Sequence, residues 1–270
     1  MIAGRFTARL FLVIVAALSL LPFYIMAMMG THPTHRLYTS IAYYPGDALM
    51  DNLRTVFGNH FLRVYANSLY ISGVSAFLCV IVSAAAGYAL AMYRFRFRNA
   101  LFRFVLFTMM VPSQLGLVAL VIEYRHLHLL NSHWGLILIW AAVPFGVFWM
   151  KQYIQGALPV ELLESARMDG CGELRLFWQI VLPYVMPAVV TLSLLIFLWS
   201  WNNFLLPLIV INKPELFTVP LAISALRGMY TTNYAAQMLG LTLGTLPLIV
   251  LFIVGARYFV SGFQAGAVKG

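Results

Sequence analysis

Six runs of about twenty apolar residues, separated by short polar stretches, constrain this chain more than any motif does. They cover about 10–29, 69–92, 102–122, 134–153, 184–211 and 239–260. A helix needs about 20 such residues to cross a bilayer core, and in lipid the backbone must satisfy its own polar groups. The chain of 270 residues is 62% hydrophobic and 9% charged, where soluble domains carry about 25% charged residues. Little length remains for a soluble domain. The expected architecture is one all-α membrane domain of six transmembrane helices over residues 1–270. Cys79 lies inside an apolar run and Cys171 outside; they form no CxxC pair and read as idle thiols. No internal repeat or low-complexity segment is visible.

Lys and Arg gather in the cytoplasmic loops of membrane proteins. Arg5 and Arg9 precede the first run. Arg94, Arg96, Arg98 and Arg103 follow the second with no acid among them, Lys151 closes the fourth, and Arg257 and Lys269 accompany the sixth. Placing both ends in the cytoplasm satisfies every cluster. The first run reads as an uncleaved anchor, because it is long for a signal-peptide core and no clear A-x-A site follows. The net charge of +9 therefore reads as topology. Nucleic-acid binding would need a basic patch on a soluble fold. The stretch 30–67 and a second one with His126, His128 and His133 fall outside. His32, His35 and His60 lie in the first. No acid or cysteine sits at ligand spacing from these histidines, so they read as solvated interfacial residues and no metal site is expected.

One segment does not fit its surroundings. Between the fourth and fifth runs, residues 159–183 hold Glu161, Glu164, Arg167, Asp169, Glu173 and Arg175. Pro159 can open a helix, since a missing N–H costs nothing in the first turn, and Glu161 and Glu164 suit a helix N-terminus. Leu162, Leu163 and Ala166 form one apolar stripe, and Glu161, Glu164 and Met168 another. Gly170 and Gly172 are expected to end this helix. A second helix is expected from Glu173 through Leu174, Phe177, Trp178 and Ile180 to Pro183. A helix with an apolar stripe and carboxylates is suited to a groove on a soluble partner, where the stripe gives contact area and the acids pair with cations. An interfacial helix lying on lipid headgroups would favour Lys and Arg on its polar face; this one is acidic.

Glu164-Ser165-Ala166, three residues, Gly170, nine residues, then Ile180-Val181-Leu182-Pro183 resembles the EAA signature of ABC importer permeases. The departure is Ser165 in place of the usual alanine, still a small residue. "ARMDG", with Asp169 before Gly170, is similar to the carbohydrate-uptake branch, as is "WSWNNFLLPLIVI" at 199–211. The ending "FVSGFQAGAVKG" resembles the shorter of the two permease subunits in maltose-type systems. The shared pattern runs from about residue 67 to 270, and 31–66 carry no such motif.

The resemblance implies that the segment docks in a cleft on an ATP-binding subunit. Glu161, Leu163, Glu164, Ser165, Ala166, Asp169, Gly170, Ile180, Leu182 and Pro183 are then the docking set, with the docking glutamate at Glu164 and the sharp turn at Gly170. It also implies a second, homologous permease, two ATPase subunits carrying ATP and Mg, an extracytoplasmic substrate-binding protein, and a bacterial or archaeal cytoplasmic membrane. The chain itself should bind no cofactor and catalyse nothing: it contains no G-x-x-x-x-G-K-[ST] phosphate loop. An ion-coupled transporter would keep an ionisable residue at mid-membrane, whereas Glu123 sits at a run's end and the other acids lie in loops. A membrane enzyme needs converging acid, base or metal groups, which no run supplies. Trp201, Asn202 and Asn203, with Gln114 beside Pro112, either line a sugar pathway or hydrogen-bond between helices. Pro112 is expected to kink its helix.

Overall fold

The structure is a computed structural model that describes residues 2–58, 60–226 and 232–267, with side chains for all of these except 2–6, 8 and 256–267. Arg5, Arg257 and Lys269, used above for orientation, and all of the "FVSGFQAGAVKG" ending fall outside the described side chains.

The described elements are helical. In chain order they are α1 (Ile2–Met29), α2 (Leu49–Gly58), α3 (Phe61–Met92), α4 (Arg98–Met110), α5 (Leu117–His126), α6 (His133–Ala141), α7 (Pro144–Ala157), α8 (Val160–Met168), α9 (Glu173–Leu176), α10 (Leu182–Tyr184), α11 (Met186–Trp201), α12 (Leu205–Val210), α13 (Val219–Ala225) and α14 (Tyr234–Ala267). Among the described residues, four stretches are long and apolar enough to cross a membrane: Arg9–Met29, Phe61–Met92, His133–Ala157 and Tyr234–Gly255. Two bent pairs reach that length together, and counting each as one span brings the total to six.

Proline explains where the apolar runs break. The third run, expected to kink, separates instead. Val111 (ψ 120°) and Pro112 (ψ 123°) are extended, as the residue before a proline is pushed to be. A 3₁₀ turn, Ser113–Gly116, follows, and the two halves meet at 89°. The fourth run pauses at Val143, ahead of Pro144, which opens α7. The fifth run begins with an 80° bend at Val185, between Pro183 and Pro187. Neither proline can donate a helical hydrogen bond. That run also ends early, at Trp201, with α12 as a separate short helix.

Two compact units share the chain. One combines residues up to 65 with 219–247. Here most of the stretch 30–67, expected as an outer loop, is folded: Asn52 donates to the carbonyls of Gly30 (2.9 Å) and His32 (2.8 Å). His32 Nε2 meets the Tyr44 carbonyl at 2.8 Å, so this histidine is tied to backbone. Thr34 Oγ1 donates to Asn233 Oδ1 at 2.7 Å, and Tyr65 donates to the Leu243 carbonyl. The apolar side chains of α1 from Arg9 onward are unburied within the molecule.

The other unit combines 66–218 with residues from 248 on. Its core joins α3, α7 and α11 through Cys79, Ala84, Met150, Ile154, Leu192 and Ile196, all fully buried. Helices α3 and α7 approach closely at Gly87, where a Cβ would stand 2.7 Å from the Lys151 backbone nitrogen. Small residues allow membrane helices such contact. Ser72, Ser75 and Ser83 are buried on α3, and Ser72 Oγ lies 3.4 Å from Ser200 Oγ on α11. Trp149 Nε1 donates to the Ala188 carbonyl at 3.1 Å, joining α7 to α11.

Candidate coupling site

Helix α8 sorts its side chains cleanly. Glu161, Glu164, Ser165 and Met168 recur at spacings of three and four, share one face, and are all exposed, Met168 by 88%. Glu161 lies in the first turn, favourably placed for the helix dipole. Pro159 sits one residue earlier than expected, as the extended N-cap.

The opposite face of α8 turns inward. Leu163, only 1% exposed, and Ala166 join the same buried cluster as Leu176, Phe177 and Val181. They pack α8 onto the chain's own core. An apolar stripe is satisfied by the first apolar surface it meets, and one in the same chain costs no translational freedom. Leu182 is likewise buried and Ile180 half-buried; Pro183 is exposed. Leu162, expected on the same stripe, sits at the rim, 37% exposed.

Beyond α8 the chain turns sharply. The Cys171 N–H donates to the Ala166 carbonyl and the Gly170 N–H to the Arg167 carbonyl, both at 3.0 Å. This is the double closure of a Schellman motif, which calls for a left-handed residue between. Gly170 supplies it at φ +79°, with open space where a Cβ would be. Asp169 caps the helix from an exposed position. Gly172 does not help end α8, contrary to expectation: it is extended (φ −68°, ψ 153°) and is the N-cap of α9. The expected second helix is also not uniform. After α9 the backbone widens into a π turn over Phe177–Val181 before α10, and such turns mark functional or strained stretches of helix.

A cluster that spacing did not reveal spans this elbow. Arg167, at the end of α8, donates to both carboxylate oxygens of Glu173, at 2.7 and 3.4 Å. Tyr93, the first residue after α3, donates its hydroxyl to Glu173 Oε2. The Arg167 guanidinium also lies 5.9 Å from the Tyr93 ring centroid. Tyr93 is itself wedged edge-on against Tyr88, which packs on Phe177.

The proposed pathway residues are arranged differently. Trp201 is buried and stacks on Phe197 with ring centroids 5.6 Å apart. Asn202 Nδ2 donates to the Leu198 carbonyl at 3.0 Å, and Asn203 Oδ1 accepts the Leu206 N–H at 3.1 Å. These bonds are local to the break between α11 and α12 and do not join separate membrane helices. Gln114 is exposed in the 3₁₀ turn after Pro112. The structure does not collect Gln114 and the two asparagines into one hydrogen-bonded group. Among the described residues, no three His, Cys, Asp or Glu side chains converge as metal ligands.

Comparison with known proteins places this arrangement in context. The chain is 36% identical to the arabinooligosaccharides transport system permease protein AraQ of Bacillus subtilis (strain 168), over 98% of this chain and 96% of that one. It is 32% identical to the lactose transport system permease protein LacG of Rhizobium radiobacter, over 94% and 92%. Its fold matches a chain in the crystal structure of a bacterial ABC transporter involved in the import of the acidic polysaccharide alginate, with a TM-score of 0.80 over 96% of each chain at 23% identity. Residues 80–264 match the family model for the binding-protein-dependent transport system inner membrane component. With more than half its length matched by that model, and with α8 and its elbow inside the matched region, the chain belongs to the family of binding-protein-dependent transport system inner membrane components.

Proposed function

We propose that this chain is the transmembrane permease subunit of an ATP-binding-cassette importer that moves a sugar or related carbohydrate into the cytoplasm. It crosses the membrane six times with both ends inside, each bent pair counting as one span, and needs no catalytic group or cofactor of its own. It works beside a second, homologous permease, above two ATPase subunits that carry ATP and Mg, and below an extracytoplasmic binding protein that delivers the sugar. The relatives named for arabino-oligosaccharide and lactose transport support the substrate class.

The observation that carries this reading is the exposed acidic face of α8. Glu161 and Glu164 stand in solvent on a short helix whose other face is locked into the core. A seated peg of this kind accepts a push without peeling away. Cations on an ATPase cleft pair with the two carboxylates, and closure of the two ATPases on ATP moves α8 and the helices packed on it. The bundle then turns from inward-facing to outward-facing, takes sugar from the binding protein, and resets on hydrolysis.

Reconstituting the chain with its neighbouring permease, ATPase and binding-protein subunits in liposomes tests this directly. The expected result is sugar uptake that requires internal ATP and survives collapse of ion gradients. Uptake by this chain alone, driven by an ion gradient, would refute it.

A further inference from the structure

We infer that Tyr93, Arg167 and Glu173 form a brace across the coupling elbow, so that a push on α8 is delivered to the end of α3 and is not absorbed at Gly170. The inference rests on the coupling role proposed above for α8 and adds residues outside its docking face.

The elbow needs such a device. Gly170 is the one glycine with positive φ among the described residues, and no atom lies within 4 Å of where its Cβ would be. Glycine there has little to restrain it. The inner face of α8 is held by Leu163 and Ala166, but apolar packing resists lifting better than sliding, because it has no preferred direction. A force on Glu161 and Glu164 would therefore tend to swing α8 about the turn.

Arg167 and Glu173 stand on either side of that turn. Their forked contact, at 2.7 and 3.4 Å, fixes the angle between α8 and α9, as a planar guanidinium on a carboxylate does. The Tyr93 hydroxyl on the same carboxylate ties the pair to α3. Tyr93 is in turn anchored: Arg98 donates to the Tyr93 and Ala91 carbonyls, each at 3.3 Å, closing the end of α3. Four observations thus meet on one path from α8 across the elbow to a membrane helix.

The Arg167 and Glu173 side chains are 37% and 50% exposed, and exposed ion pairs add little to folding stability. What the pair supplies is a fixed angle. Tyr93, Arg167 and Glu173 are therefore positioning residues, acting through α8 and α3 without touching sugar or nucleotide.

The test uses the reconstituted transporter with three readouts: ATPase co-purification, ATP hydrolysis, and sugar imported per ATP hydrolysed. Glu173→Gln is expected to leave co-purification at the wild-type level while sugar imported per ATP falls about fivefold or more, the lower end of ordinary coupling between sites. Exchanging the pair (Arg167→Glu with Glu173→Arg) should recover part of that ratio, which a merely structural lesion would not do. An unchanged ratio in Glu173→Gln overturns the brace. So does a loss of co-purification in step with uptake, since the residue would then belong to the docking contact. Failure of the wild-type chain to bind any ATPase would instead refute the coupling role of α8, so the two failures are distinguishable.

Discussion

Two polar interruptions stand in this apolar chain, and they use their polar atoms in opposite ways. At 201–203 the asparagines bond to backbone at the break between α11 and α12: Asn202 to the Leu198 carbonyl, Asn203 to the Leu206 N–H. On α8 the carboxylates of Glu161 and Glu164 are held out in solvent while Leu163 and Ala166 anchor the helix from beneath. A polar residue among apolar runs is therefore not by itself a transport or contact site. What separates the two regions is whether its bonding capacity has been used to terminate a helix.

This contrast can be broken by substitution. The largest effect on ATPase association is expected from Glu164→Lys, which would place like charges together at the proposed docking contact. ATPase co-purification should fall more than tenfold, about 1.4 kcal/mol or more, with membrane insertion unchanged; normal co-purification would remove Glu164 from the contact. Leu163→Ala has the largest expected effect on stability. It opens a cavity under α8 and should cost about 2–5 kcal/mol, read as a lower melting temperature of the purified chain. A melting temperature unchanged from wild type would mean that the inner face of α8 is not seated.

A Cβ at position 170 has open space, so the main cost of Gly170→Val is backbone strain, about 1–3 kcal/mol. Uptake should fall, while Gly170→Asn, which tolerates a left-handed backbone, retains more. Gly172→Ala should be close to silent because its backbone is ordinary. Asn203→Ala removes one capping acceptor and should cost about 0.5–2 kcal/mol of local stability without altering the sugar KM. A raised KM at wild-type stability would make Asn203 a pathway residue after all. A comparably small effect is expected for Ser165→Ala. Its hydroxyl bonds to the Glu161 carbonyl one turn back, and surface changes of this kind stay within about 0.5 kcal/mol.

Much of the fold is legible in the amino-acid sequence. The apolar runs reappear as four helical stretches long and apolar enough to cross a membrane and two bent pairs, because hydropathy over about twenty residues is a direct statement about solvent. Segment 159–183 stands out for the same reason in reverse. Some breaks are readable from Pro112, Pro144 and Pro183, though not their angles, which depend on what the freed halves pack against. The inward turn of Leu163 and Ala166 is not readable, since an amphipathic stripe looks the same whether it faces a partner or its own core. The Tyr93–Arg167–Glu173 cluster is hidden for a geometric reason. A spacing of six has no meaning on one helix, and Tyr93 lies 80 residues from Glu173. Only the turn at Gly170 brings them together.

The central claim is that ATPase subunits engage the exposed face of α8 and not the break after Trp201. A photo-crosslinking residue placed in turn at positions 164 and 202 of the assembled transporter measures this most directly. The account predicts an adduct with the ATPase from position 164 and none from 202. An assembled, active transporter that gives no ATPase adduct from 164 would contradict it.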